Sequence, residues 1–325
     1  MSSATITSLT IAYQKVVICM GIPILFLGLI GGIFNVFVFL SLRTFRQSSC
    51  AFYLTIMSTL NIVQLITGLL SRILISGFDI DLTRSSMFYC KVRTFIFQIA
   101  AANSFACICL ATIDQYFATC ARPRWRQWSN IRLARRLLIV IILLIVIEQV
   151  PCLIYYDQKR LLSSNETICT TTTGDFDKFN TYFNYLVVGN LLPQTIACTF
   201  GILAHRNIQQ ISYRTAPLVR RELDKQLSAM VLVQVCYMCV ILSSHFVIYM
   251  IAVYGNIKDS IVQMQINLVY VVSLCLYYSH FAFPFYIYMI VSERFRRQFK
   301  YVAFKMHMDC WRPDRVGPDI LTNST

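Results

Sequence analysis

Ionisable side chains are so few inside the apolar stretches of this chain that each one is a candidate for chemistry. The clearest group is Asp114-Gln115-Tyr116, which ends an apolar segment beginning near Cys90 and leads into the basic run Arg122-Pro-Arg-Trp-Arg126. A carboxylate at the rim of such a segment, facing a basic loop, can exchange partners when helices move, which is the chemistry of a switch. Glu148, in Ile145-Val-Ile-Glu-Gln-Val-Pro151, is either a protonated or hydrogen-bonded carboxyl or a ligand contact. His245, in Leu242-Ser-Ser-His-Phe246, either packs through a hydrogen bond or lines a cavity. Bond-making constellations are missing: there is no phosphate-cradling glycine loop, no metal-spaced His and Cys set, and only four histidines in all. The sequence therefore implies no catalytic residue, no cofactor and no metal.

The elements that must position these residues are membrane helices. In 325 residues, 57% are hydrophobic and 14% charged, and the mean hydropathy is +0.59, values that exclude an ordinary soluble domain. Crossing roughly 30 Å of hydrocarbon takes about 20 apolar residues. Runs of that length fall at 16–40, 51–76, 88–118, 133–156, 179–204, 226–254 and 262–290. Because lipid forces each run to satisfy its own backbone, the fold class is an all-α seven-transmembrane helix bundle. Residues 1–15 form an extracellular N-terminus, 16–290 the membrane domain, and 291–325 a cytoplasmic amphipathic helix and tail.

Sidedness follows from charge. Of the 29 Lys and Arg residues, twenty lie on the side holding loops 42–50, 119–136 and 205–225 and the tail. Basic residues near span ends favour the cytoplasm, which places the N-terminus outside and the C-terminus inside. The same asymmetry explains the net charge of +14 without any nucleic-acid partner. Of thirteen cysteines, only Cys90 and Cys169 clearly share the oxidising face, so they are the expected disulfide. Asn165-Glu-Thr167 on that face is a glycosylation acceptor, whereas Asn323-Ser-Thr325 matches the same pattern on the wrong side. The loop from Asp157 to Lys178, pinned through Cys169, suits a lid over the bundle mouth. Beyond the last run, Phe295, Phe299, Val302 and Met306 recur at helical spacing among basic residues, the pattern of an amphipathic helix on an anionic inner leaflet. Cys310 beyond it is a palmitoylation candidate. In the outer halves of the spans, Phe97, Gln98, Tyr182, Tyr185, Asn190, His245, Tyr249 and Tyr270 suit an aromatic pocket with a few polar groups. With Glu148, the candidate ligand contacts are Phe97, Gln98, Tyr185, His245 and Tyr249.

From Gly32 to about Val302 the chain resembles a rhodopsin-like (class A) G-protein-coupled receptor. Asn35, in Gly-Gly-Ile-Phe-Asn-Val, matches the asparagine of that family's first helix, and Cys90 and Cys169 match its disulfide. Asp114-Gln115-Tyr116 stands where the family has Asp-Arg-Tyr, 25 residues from Cys90 to Gln115. Pro193 matches the fifth-helix proline. Pro284-Phe-Tyr-Ile-Tyr288, followed by Phe295-Arg296, occupies the place of Asn-Pro-x-x-Tyr and the eighth helix. The resemblance implies an extracellular ligand, a heterotrimeric G protein and the lipid bilayer as partners, with Asp114, Gln115, Tyr116 and Tyr288 lining the cytoplasmic cleft that opens on activation.

The departures carry information too. Gln115 replaces the arginine that locks the family's resting state. Asn61 or Gln64 stands in place of the second-helix aspartate, which implies loss or weakening of the family's sodium site. The sixth helix lacks its proline and is expected to be straighter. Phe97 and Gln98 replace the aspartate of amine receptors, and the seventh helix has no lysine for a retinal Schiff base. The pattern is most similar to divergent invertebrate neuropeptide and chemosensory receptors, and the charged second outer loop favours a peptide over a small odorant. The competing classes are a transporter or channel using Glu148, Arg72 or His245, and a decoy or scaffold receptor with weak or no G-protein coupling. Paired repeats and broken helices, which mark transporters, are not evident.

Overall fold

An amide left unpaired in hydrocarbon is costly enough that each apolar run must close its own hydrogen bonds as a helix. The computed structural model describes residues 2–41, 43–160, 167–211, 218–255, 257 and 259–310, without the side chains of 2–4, 43–44, 210–211, 218–223 and 305–310. Asn165 and Asn323 lie outside the described residues, as do the side chains of Met306 and Cys310. Among the described residues, seven helices are long and apolar enough to cross a membrane. They are α1 (Ser2–Ser41), α2 (Ser49–Phe78), α3 (Met87–Thr119), α4 (Ile131–Tyr155), α5 (Gly174–Gln209), α6 (Leu218–Tyr254) and α7 (Ser260–Ala282). Helix α1 begins well before the apolar run, so most of the segment expected as an N-terminal stretch up to residue 15 continues the first helix.

Side-chain caps set several starts. Ser48, Ser86, Asn130 and Asp259 each accept a hydrogen bond from a first-turn N–H of α2, α3, α4 and α7, which satisfies donors the helix leaves open. The run expected to continue to residue 290 is in fact two helices. Helix α7 ends at Ala282, and Pro284, which has no N–H to donate, opens α8 (Pro284–Val291). Helix α9 (Glu293–Cys310) follows. Helix α6 contains no proline and runs unbroken through 37 residues. By contrast, α2 and α5 loosen into π-helical turns at Leu65–Leu70 and Asn180–Leu191, a feature that often marks functional sites.

Helix α3 is the central pillar: 61% of its most apolar window is buried, against 17% for α4. Helix α4 turns Ile139, Leu144, Ile147 and Ile154 outward, each more than half exposed, a face suited to lipid. Between α4 and α5 a hairpin of β1 (Tyr156–Arg160) and β2 (Thr167–Thr171) pairs antiparallel, with Gln158 opposite Cys169. Cys169 is bonded to Cys90 at the start of α3, with Cα atoms 5.8 Å apart, so the hairpin is fixed across that end of the bundle. At Gly68 a Cβ would sit 2.9 Å from both Phe97 and Tyr278, so only glycine lets α2, α3 and α7 approach this closely.

Part of the apolar face of α9 packs onto the bundle. Phe295 is fully buried against Phe39, Phe285 and Tyr288, and Phe299 packs on Phe34 and Phe285. Gln298 donates to Ser41 Oγ at 2.7 Å. The helix is docked on the ends of α1 and α8, leaving Tyr301 and Phe304 facing outward.

Candidate functional site

At the disulfide end the helices splay around a cavity of about 510 Å³, within the range of small-ligand sites. Its walls come from α2 (Arg72, Ile75), α3 (Arg93, Phe97, Gln98, Phe105), α4 (Gln149), α6 (Leu242, His245) and α7 (Tyr277, Tyr278). The π-helical part of α5 adds Asn184, Tyr185 and Asn190, and the pinned hairpin adds Tyr156, Ile168 and Cys169. His245 Nδ1 shares a hydrogen bond of 3.0 Å with Ser273 Oγ, and its ring stacks on Tyr270 and lies against Tyr277. It therefore both packs and faces the cavity. Asn190 Nδ2 donates to Leu242 O at 3.3 Å, joining α5 to α6 beside it. Tyr156, on the hairpin outside the membrane spans, has its phenol pushed well above its usual pKa by burial, and stays neutral at physiological pH.

The opposite end is closed by a set of hydrogen bonds centred on α3. Asp114 Oδ1 accepts from Ser49 Oγ at 2.6 Å, and the backbone N–H of Cys50 approaches this carboxylate. Both groups belong to the first turn of α2, where free N–H groups and the helix dipole favour an anion. Ser49 Oγ lies 3.2 Å from Ser129 Oγ, which ties in the loop before α4. Gln115, 2% exposed, accepts from Ser228 Oγ of α6 at 2.5 Å. Thr119 Oγ1 donates to the carbonyl of Gln115 at 2.7 Å, and Tyr116 packs edge-on against Phe200 of α5.

Two further contacts hold α6 to the chain end. Tyr288 donates to Gln234 Oε1, whose amide nitrogen lies 3.3 Å from Met57 Sδ. Gln226 Oε1 accepts from Ser292 Oγ at 2.9 Å and from the N–H of Arg294 at 3.0 Å. Every acceptor and donor in these bonds to α6 is uncharged.

A model of the rhodopsin-family seven-transmembrane receptors matches residues 31–288, most of the chain. The chain belongs to this family. A search of curated proteins returns no match.

The residues singled out from sequence are distributed unevenly over the receptor. Phe97, Gln98, Tyr185 and His245 line the cavity. Tyr249 stands behind Tyr185, ring centroids 4.6 Å apart, and Tyr182 points outward. Glu148 is off the cavity wall, and its neighbour Gln149 takes the inward position. Gln149 donates to Glu148 Oε2, while Glu148 Oε1 is buried with no partner of good geometry, although the side chain of Asn184 approaches the carboxylate. At mid-bundle Asn61 Oδ1 accepts from Ser104 Oγ at 2.5 Å. Asn35 Oδ1, both amide atoms of Gln64 and His280 Nδ1 are buried there without partners. The carbonyl of Pro193 accepts a weak bond from Cys109 Sγ. Tyr288 is completely buried, its ring filling the space between Phe39 and Phe295.

Sequence reasoning missed Ser49, Ser228, Gln226 and Gln234. The signal was available for the last three, since polar groups spaced along an otherwise apolar membrane helix seek partners inside the bundle. Ser49 could not be found this way, because its role depends on where α2 begins.

Proposed function

We propose that the receptor is activated by an extracellular peptide entering the cavity at the disulfide end, and that it responds by releasing α6 from α3 at the opposite end to admit a heterotrimeric G protein. The orientation rests on the disulfide, which needs an oxidising compartment, together with the basic loops at the other end. The carrying observation is that α6 reaches from the cavity to the clasp on Gln115. His245 faces the cavity, and Ser228 holds Gln115 17 residues away on the same unbroken helix. At 1.5 Å per residue that is about 25 Å, and a helix without a proline transmits a tilt along its length instead of bending locally.

In the resting state Asp114 is held by Ser49 at the α2 N-terminus and Gln115 by Ser228, and neither of these two bonds is an ion pair. A ligand with higher affinity for the tilted arrangement shifts the population toward it. Gln115 then presents a neutral amide to the G protein where the family has an arginine. Coupling is accordingly weaker than in receptors carrying that arginine, which keeps a scaffold or decoy role as the second reading. G-protein activation in cells, comparing wild type with Gln115→Arg, tests the assignment. An increase in evoked output supports it. Unchanged basal and evoked output with ligand binding intact removes the triplet from the coupling mechanism.

A further inference from the structure

Within the cavity the polar groups do not balance. Arg72 of α2 and Arg93 of α3 both lie on its wall. The groups that act on Arg72 are the phenols of Tyr13, Tyr270 and Tyr278 and the thiol of Cys275, none of them a carboxylate. Among the described residues, no hydrogen bond or ion pair holds its guanidinium. Arg93 donates Nε to Thr67 O at 3.1 Å, a carbonyl of the π-helical turn in α2, which leaves its two terminal nitrogens for other partners. The two guanidinium groups line the same cavity, as does Tyr278.

Among the described residues, the one carboxylate on the cavity wall is already engaged. Asp81 accepts from Thr83 N at 2.9 Å, Thr83 Oγ1 at 2.5 Å and Arg84 Nε at 3.2 Å. Two cations in a partly desolvated site are costly, and a single anion between them offsets that cost. Guanidinium groups match the fork of a carboxylate in shape as well as charge. One helical turn deeper on α3, Phe97 begins an aromatic wall that continues through Tyr185, His245 and Tyr277.

We infer that the ligand carries a carboxylate seated between Arg72 and Arg93, with an aromatic or apolar body directed toward His245. The inference rests on the receptor reading above and names its ligand chemistry. A peptide C-terminus and a small organic acid share that chemistry, so the test carries both. Purified full-length receptor in detergent is melted with increasing amounts of four probes: the tripeptide Ala-Phe-Tyr as free acid and as C-terminal amide, and 4-hydroxyphenylacetate with its neutral amide. Melting reads binding without any G protein, so failure of coupling and failure of this site are separable.

At least one acid is expected to raise the melting temperature saturably while its amide does not. A response to the tripeptide acid alone identifies a peptide C-terminus, and one to hydroxyphenylacetate alone a small acid. Arg72→Gln and Arg93→Gln are each expected to weaken the response about a hundredfold, the size found when one partner of a buried charge pair is removed. Arg72→Lys is expected to retain part of it, and Lys178→Gln, on the exposed surface, all of it. Without probe, Arg72→Gln is expected to melt at or above the wild-type temperature, because it removes an unpaired charge. Equal responses to acid and amide, no response to either acid, a response that survives both glutamine variants, or a lower probe-free melting temperature for Arg72→Gln would overturn the inference.

Discussion

Replacing Ser228 with alanine removes the hydrogen bond through which α6 is held to Gln115. The two atoms are 2.5 Å apart, and both residues are almost fully buried, at 1% and 2% exposure. Losing a typical protein hydrogen bond costs about 1 kcal/mol, and a buried acceptor left without a donor costs about 1–3 kcal/mol. Both penalties fall on the closed arrangement, since Gln115 reaches water once α6 moves away. Taking about 1.4 kcal/mol as the net effect, the ratio of open to closed receptor rises about tenfold. From a resting open population of about 1%, typical of a two-state protein, Ser228→Ala then reaches about 10%. Ligand-independent guanine-nucleotide exchange in membranes, normalised to surface receptor, should rise by a similar factor. Ser244→Ala is the control: this exposed hydroxyl bonds only within its own helix, to Val240 O at 2.7 Å, and should change nothing. Unchanged basal exchange in Ser228→Ala at normal expression would refute the view that this bond restrains α6.

The remaining bonds make parallel predictions. Tyr288→Phe keeps the ring packing on Phe39 and Phe295 but removes the bond to Gln234; basal exchange should rise, by less than about tenfold, and the double variant with Ser228→Ala should exceed either alone. Asp114→Ala strips the α2 N-terminus of its acceptor and should lower stability by about 1.5–3 kcal/mol, read as a reduced melting temperature in detergent, whereas Asp114→Asn keeps an acceptor and should lose less. Gly68→Val places a methyl-bearing Cβ where Phe97 and Tyr278 already lie within 2.9 Å, so ligand affinity should fall with little loss of surface expression. Cys169→Ala frees the hairpin from α3, and ligand dissociation should speed up; unchanged kinetics would mean that the hairpin does not cover the cavity.

Much of this receptor is legible from sequence because the bilayer imposes simple rules. Run length placed all seven helices, and compartment chemistry singled out Cys90 and Cys169. What failed did so for physical reasons. The break at Phe283 was hidden because Pro284 interrupts backbone pairing without interrupting hydrophobicity. The start of α1 at Ser2 was hidden because polar residues can extend a helix beyond the apolar run. The amphipathic period of Phe295 and Phe299 marked a helix, yet period alone does not say which of its residues meet the bundle. Glu148 drew attention as a charge in a membrane helix, but one residue of rotation gives the cavity wall to Gln149. The partner of Gln115 was invisible because Ser228 lies 113 residues away, and only the packed bundle brings them together.

The central claim is that α6 parts from α3 at the basic end when a G protein binds. Spin labels replacing Arg126 and Lys225, both exposed near those helix ends, report the separation directly in receptor reconstituted in nanodiscs. Adding nucleotide-free heterotrimeric G protein should produce a second, longer distance, and Ser228→Ala should populate that distance without G protein. A single distribution, the same in wild type and variant and unmoved by G protein, would contradict the account.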